Sequence, residues 1–336
     1  MRNLLRNTFN IGLLAAGLLW ANSGTAQKTK RDWLQPDIKY IDQRGFSLGV
    51  NLGMSDMWGD VGAKSALDHY GNSDYWKNMK VMGGIYGRYT HIPGLSFRLS
   101  IANGTLYAND VWNKSGAEKA SSISDDYVQR YYRNLDVKTN IWESSLMVEI
   151  SPMELFTNWE NSRLAKSRFQ PYLMVGVGGI YFNPRGSITV DYTTQYKKWV
   201  DLRPLHTEGQ NFDKPGYPAA YNQYAIVIPA GIGFRVDLGK GLGLGLEYVM
   251  RYALTDYLDD VSGKYVDPLR FDIGFLNEGY KAGQAKVMAD KTFEIAPGIK
   301  HAAGEYRGDP NTKDMYSTIS LNFFWKINKR ANAWWR

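Results

Sequence analysis

The chain has 336 residues, no cysteine, and 40 Lys+Arg against 33 Asp+Glu, a formal charge of +7. The missing cysteine excludes a disulfide scaffold, thiolate metal sites and lipid attachment at a cleavage-site cysteine. The charge excess is spread along the chain, and the cluster Lys28, Lys30, Arg31 is too short to point to nucleic acid.

Arg2 and Arg6 precede the apolar run Ile11 to Leu19, and Gly24-Thr25-Ala26 offers small residues before Gln27. This order predicts a signal peptide over residues 1–26, because the run is shorter than the ~20 residues of a spanning helix. Its removal takes two arginines and no acid, so +7 becomes +5. Residues 27–44 then form a charged N-terminal segment with Trp33 and Tyr40. No later stretch reads as a transmembrane helix, so an exported chain must be soluble or enter a membrane with strands.

From residue 45 onward the dominant pattern has a period of two. The first strand, about 45–55, sets Phe46, Leu48, Val50, Leu52 and Met54 against Ser47, Gly49, Asn51 and Gly53. The second, about 79–90, sets Val81, Ile85 and Tyr89 against Lys80, Tyr86 and Arg88. His91-Ile92-Pro93-Gly94 reads as a tight turn. The third strand, about 95–105, alternates Leu95, Phe97, Leu99 and Ile101 with Ser96, Arg98, Ser100 and Ala102. The fourth, about 140–150, opposes Trp142, Leu146 and Val148 to Glu143, Ser145 and Glu149.

The fifth strand covers about 169–182. The sixth, about 226–238, opposes Ile228, Ile232, Phe234 and Val236 to Gly231, Gly233, Arg235 and Asp237. After Gly239-Lys240-Gly241 comes the seventh, about 242–252, with Glu247 and Arg251 on its polar face. The eighth, about 315–327, carries Ile319, Leu321, Phe323, Trp325 and Ile327 on one face. Such alternation suits a strand with lipid on one side and a polar interior on the other, and it accounts for the negative mean hydropathy.

The connections add a second regularity. Links 56–78, 106–139, 183–225 and 253–314 are long; the two turns are tight, and 151–168 is intermediate. Sorting by parity predicts an all-β, eight-stranded, antiparallel up-and-down transmembrane β-barrel over residues 45–327, with long extracellular loops and periplasmic termini. Eight strands leave room only for side chains inside. The expected interior network is Arg88, Arg98, Glu143, Glu149, Arg235, Asp237, Glu247 and Arg251, with Lys80 also directed inward and several glycines making room.

Chemistry is sparse. His69, His91, His206 and His301 fall in links or a turn, without metal-ligand spacing, so no enzyme, metal or cofactor is expected. Asp256-Tyr257-Leu258-Asp259-Asp260-Val261-Ser262 invites a calcium reading but lacks the EF-hand spacing, and reads as an acidic loop start above the barrel rim. Gly176-Val177-Gly178-Gly179 lies inside a strand with no helix after it, so it is not a dinucleotide loop. Trp33, Tyr40, Phe156, Trp159, Trp334 and Trp335 gather on the expected periplasmic side, the last two in the tail 328–336. They suit either a protein interface or anchorage in the inner leaflet.

Gly53-Met54-Ser55-Asp56-Met57-Trp58-Gly59-Asp60-Val61 is similar to the opening segment of PorG-like barrels, outer-membrane components of the Bacteroidota type IX secretion system. So are Val81 to Tyr89, Phe169 to Gly179 and, most specifically, Leu246-Glu247-Tyr248 through Arg251-Tyr252 to Thr255-Asp256-Tyr257-Leu258-Asp259-Asp260-Val261-Ser262. The resemblance implies a non-enzymatic role: a barrel bound to a periplasmic ring of a PorK-like lipoprotein and a PorN-like protein, serving protein secretion and, in some members, gliding. The chain departs from that pattern in its longer 183–225 and 253–314 links. The alternative expectation is an outer-membrane adhesin or ligand receptor that binds through these loops. Membrane lipid is an expected partner; a small-molecule substrate is not.

Overall fold

The computed structural model describes residues 44–63, 73–155, 168–191, 193–194, 196–212, 216–239 and 241–327. Its strands are β1 Gly45–Trp58, β2 Lys80–Ile92, β3 Leu95–Asn109, β4 Asp136–Ile150, β5 Phe169–Asp191, β6 Tyr196–Asp201, β7 Tyr224–Gly239, β8 Leu242–Ala253 and β9 Met315–Ile327. All but β6 close into one antiparallel cylinder. The seam joins β1 to β9, with Leu48 opposite Trp325, and β4–β5 completes the circuit, with Leu146 opposite Val177. β6 pairs only with the far end of β5. Closure leaves none of the eight strands with a free edge, which is what a sheet in hydrocarbon requires. Among the described residues no helix is long and apolar enough to span a membrane.

The outer surface carries an apolar belt. Leu52 is 64% exposed, Ile85 63%, Leu99 58% and Leu321 67%, all on outward positions. Aromatic residues bound the belt at both ends: Phe46 on Tyr89 (4.8 Å) and Phe169 on Phe234 (5.4 Å) at the end of the tight turns, and Tyr181 on Tyr224 (5.2 Å) beside Trp142 at the other. Twelve residues of β5 separate Phe169 from Tyr181. At about 3.4 Å per residue and a tilt of about 40°, that is roughly 30 Å, the thickness of a bilayer's hydrocarbon core.

Two-residue connections set the turn end. At β2–β3 the chain reverses through Pro93 and Gly94, whose φ of 83° an L side chain resists. A Cβ there would also strike Leu155 and the Ser151 carbonyl, so only glycine lets the short helix Pro152–Leu155 close over the turn. Phe46 pairs with Ile327, so both ends of the barrel also lie at this end.

The long links form a folded cap at the opposite end. It includes helix α1 (Asp126–Arg133), capped by Asp125 and ended by Asn134 at φ 56°, and helices α2 (Pro268–Gly274) and α3 (Gly279–Ala289). Several strands run further into the cap than their alternation predicts: β1 to Trp58, β3 to Asn109, β4 from Asp136 and β5 to Asp191. The alternation there is of a different kind. Leu106, Val137, Ile141 and Phe182 point inward and are buried, while Lys138, Asn140, Asn183 and Arg185 point outward. Polarity reverses above the belt, so a polar-inside rule ends each strand too early.

Candidate functional site

Inside the belt the lumen is filled by an ion-pair network. Glu149 faces three guanidiniums: Arg98 Nε at 2.5 Å, Arg235 Nη1 at 3.2 Å and Arg88 Nη1 at 3.6 Å. Arg98 also forks onto both oxygens of Glu247, at 3.0 and 2.6 Å, and Tyr172 donates its hydroxyl to Glu247. Arg235 donates to Ser151 Oγ (2.8 Å) and reaches Glu154 (3.4 Å) on the short helix at the turn end. Three arginines, Arg88, Arg98 and Arg235, therefore meet three carboxylates, Glu149, Glu247 and Glu154. This balance matters because an unpaired charge in so dry a place is costly.

Space for these long side chains comes from a repeated device. Arg88 lies over the Phe324 ring (4.8 Å), Arg98 over Tyr86 (4.1 Å) and Arg235 over Tyr172 (5.0 Å). Each ring in turn lies against an inward glycine: Gly243, Gly49 and Gly233 respectively. A Cβ at any of them would displace the ring that carries the guanidinium.

Towards the cap, Met147, Met174 and Val249 form a thin apolar layer. Above it Arg251 Nε meets Glu143 at 2.6 Å, Tyr316 donates to the same carboxylate at 2.9 Å, and Arg251 also donates to Thr318. At the turn end Asp237 pairs with Lys326 at 2.7 Å. The eight residues read as interior from sequence thus all lie in ion pairs. Lys80 does not join them: it is half-buried over the Tyr107 ring at 4.9 Å, because the strand end lets its chain lean out to the rim. Ser151, Glu154, Tyr172 and Tyr316 belong to the network without a sequence signal of their own.

The cap is held by two buried arginines that the sequence did not single out. Arg133 forks onto Asp110 (2.8 and 2.9 Å) and donates to the carbonyls of Asp60 and Arg307. Arg307 pairs with Glu208 (3.0 Å) and donates to the Asp260 carbonyl (2.7 Å). The Asp256–Ser262 segment is buried in this cap and is no loose loop start. Asp259 accepts from the amides of Val61 (2.8 Å) and Val261 (3.0 Å), Asp314 accepts from Leu258 N (2.8 Å), and Asp260 accepts from Thr207 and Tyr221. The charge pattern Asp125-Asp126 ahead of Arg130 and Arg133 was the available sign of α1.

Burial pushes the Asp259 and Asp314 carboxyls well up, with Asp60 adding to the rise at Asp259, and Asp259 and Asp256 adding to that at Asp314; among the described residues neither is in an ion pair. Burial likewise pushes Asp256 up to about 7, with Asp60 and Glu208 adding to the rise. Among the described residues no three His, Asp or Glu side chains converge on a metal position. His206 and His301 are apart, the first near Phe275 and the second stacked on Tyr265 at 4.2 Å. Trp33, Tyr40, Phe156, Trp159, Trp334 and Trp335 lie outside the described residues. The segments that hold them attach at the turn end, through Arg44, Leu155, Arg168 and Ile327.

No family model matches the chain, and no curated protein does. Among solved structures, a major outer-membrane protein from Thermus thermophilus is similar at 10% identity, covering 84% of this chain and 100% of that one, with a TM-score of 0.35. Neisserial surface protein A gives 10% identity, 84% and 97% coverage and a TM-score of 0.34. Ail, the attachment invasion locus protein of Yersinia pestis, gives 8%, 84% and 99%, and 0.31. The closed eight-stranded barrel itself stands on the strand register and on the belt described above.

Proposed function

We propose that this protein is a structural outer-membrane component of a type IX secretion system, anchoring a periplasmic ring of PorK-like and PorN-like proteins. The observation that carries the reading is the filled lumen: a charge-balanced network that crosses the barrel suits a rigid membrane plug better than a conduit. The resemblance to PorG-like barrels adds support. Its two most distinctive segments, Gly53 to Val61 and Tyr257 to Ser262, are distant in sequence and meet through Asp259 and the Val61 amide. In this reading the cap faces outward, the turn end faces the periplasm, and the tryptophan-bearing segments at that end receive the ring.

A second reading, a surface protein that binds through the cap, is favoured by one feature. Leu269, Ile273, Leu276 and Tyr280 are 66%, 55%, 70% and 75% exposed along α2 and the start of α3. Photo-crosslinkers at Trp33, Trp159 and Trp335 in whole cells test the anchor, and capture of the ring lipoprotein is expected. Changing the four exposed residues to Ser should leave secretion intact. This is a sharper test than deleting 270–310, which would remove Phe271, Lys291 and Arg307 from the cap interior. Lost secretion in the Ser variant, with no periplasmic crosslink, would transfer the function to the cap.

A further inference from the structure

The belt has a notch on the side formed by β3, β4, β5 and β7. A groove of about 810 Å³ opens there on the outer surface. Its floor is Ser144 paired with Gly179, and a Cβ on Gly179 would meet nothing within 4 Å. Ile101 and Ile226 flank this pair in register. The next outward rung toward the cap is Trp142, Tyr181 and Tyr224, of which Trp142 is 57% and Tyr224 68% exposed.

The same strands continue the gradient above the notch. One rung beyond the aromatics come Asn140 and Asn183, and one rung further Lys138 and Arg185, paired side by side. Asp201 is the acid of that cationic rung, taking Arg185 Nε at 2.6 Å, while Lys138 lies over the Trp199 ring at 4.5 Å. The rung therefore holds two cations against one acid. Two residues of strand rise about 6.8 Å, or roughly 5 Å along the membrane normal at a barrel tilt of about 40°. The amide and cationic rungs then stand about 5 and about 10 Å above the aromatic rung, at headgroup height.

We propose that this face binds one anionic lipid, its acyl chain in the notch over Ser144 and Gly179 and its phosphate against Lys138 and Arg185. The sequence of surfaces along one strand pair, apolar then aromatic then amide then cationic, is that of a lipid molecule. The floor of the notch is only two small residues wide, Ser144 and Gly179, whereas a helix with its side chains measures about 10–12 Å across. The proposal rests on the membrane-spanning reading but not on the secretion partner.

The test uses the full chain in mild detergent with equimolar phosphatidylglycerol and phosphatidylcholine, read by native mass spectrometry. The wild type should retain one phosphatidylglycerol at least five-fold over phosphatidylcholine. Gly179→Leu, which fills the notch, should lose retention of both. Lys138→Gln with Arg185→Gln should keep a chain bound but bring the two lipids to equal retention. Gly87→Leu adds the same bulk to another outward site of the belt and should behave as wild type, which separates notch filling from damage to the barrel. Equal retention by the wild type, loss in Gly87→Leu as great as in Gly179→Leu, or a dimer peak replacing the lipid would each overturn the proposal. Failure to enter detergent at all would instead sink the membrane-spanning reading.

Discussion

The same strands serve two environments, and the two halves of the molecule solve opposite problems. In the belt half, β4 points Trp142 and Leu146 outward and Glu143 and Glu149 inward. In the cap half, the same strand points Lys138 and Asn140 outward and Val137 and Ile141 inward. Where lipid is outside, side chains in the lumen can be polar because they pair with one another, and the outer face must be apolar. Where water is outside, the ordinary rule of a soluble core returns, and Leu106, Phe182, Val227 and Tyr316 pack with the loop residues Leu258 and Val261. The crossover lies at the Trp142–Tyr181–Tyr224 rung, where hydrocarbon gives way to headgroups.

The largest expected effect breaks the belt half from inside. Glu149→Ala leaves Arg88, Arg98 and Arg235 short of their shared carboxylate. Removing one partner from a buried ion pair costs about 3–5 kcal/mol, so the urea midpoint of the barrel in lipid vesicles should fall by that equivalent. Next comes the cap half: Phe182→Ala hollows its core and should cost about 3–5 kcal/mol by the usual large-to-small rule. The two losses should differ in place. Hydrogen exchange should rise in α1 and the 255–262 segment for Phe182→Ala while the belt strands stay protected. Uniform exchange in both halves would mean that the two cores unfold as one.

A third change sharpens the crossover from outside. Leu146→Arg places a charge mid-belt and should cost about 2–4 kcal/mol, whereas Asn140→Arg, six residues away on the same face, should cost about 0–1 kcal/mol. Equal costs for the two would move the membrane boundary away from the aromatic rung.

The belt was legible in the sequence because one rule governs it: a period of two with a fixed polarity. Arg88, Arg98, Glu143, Glu149, Arg235, Asp237, Glu247 and Arg251 followed from parity alone. What parity could not supply was partnership. Nothing local says that Glu149 takes three arginines, or that Glu154, on the link after β4, joins them. The cap was less legible because its stabilising groups are long-range. Arg133 and Asp110 are 23 residues apart, and Arg307 and Glu208 are 99. The strand ends were misplaced for a definite reason. A reader expecting polar residues inside stops at Ile141, where the apolar residues of β4 begin to face inward.

The smallest effect separates the halves by pH. Asp259 and Asp314 are buried against Gly59, with Asp60, Asp256 and the Arg133 guanidinium as their charged neighbours. Their folded pKa values, like that of Asp256 at about 7, lie above the ordinary 3.8. A raised carboxyl holds its proton more tightly when folded. Its contribution to stability is therefore complete below about pH 4 and is lost as pH climbs through the folded value. Asp290 works the other way: burial raises it, but hydrogen bonds from His301 and Thr292 outweigh that and hold it low, so its contribution fades only below about pH 4. Between pH 5 and 8.5 the first group governs. Limited proteolysis of the cap should quicken as pH rises through about 7, while urea unfolding of the belt strands barely moves. Asp256→Asn should flatten that rise, since it removes the carboxyl that burial pushes up to about 7. Cleavage that instead quickens toward acid would show that the Asp259–Asp314 pair is ionised in the folded cap.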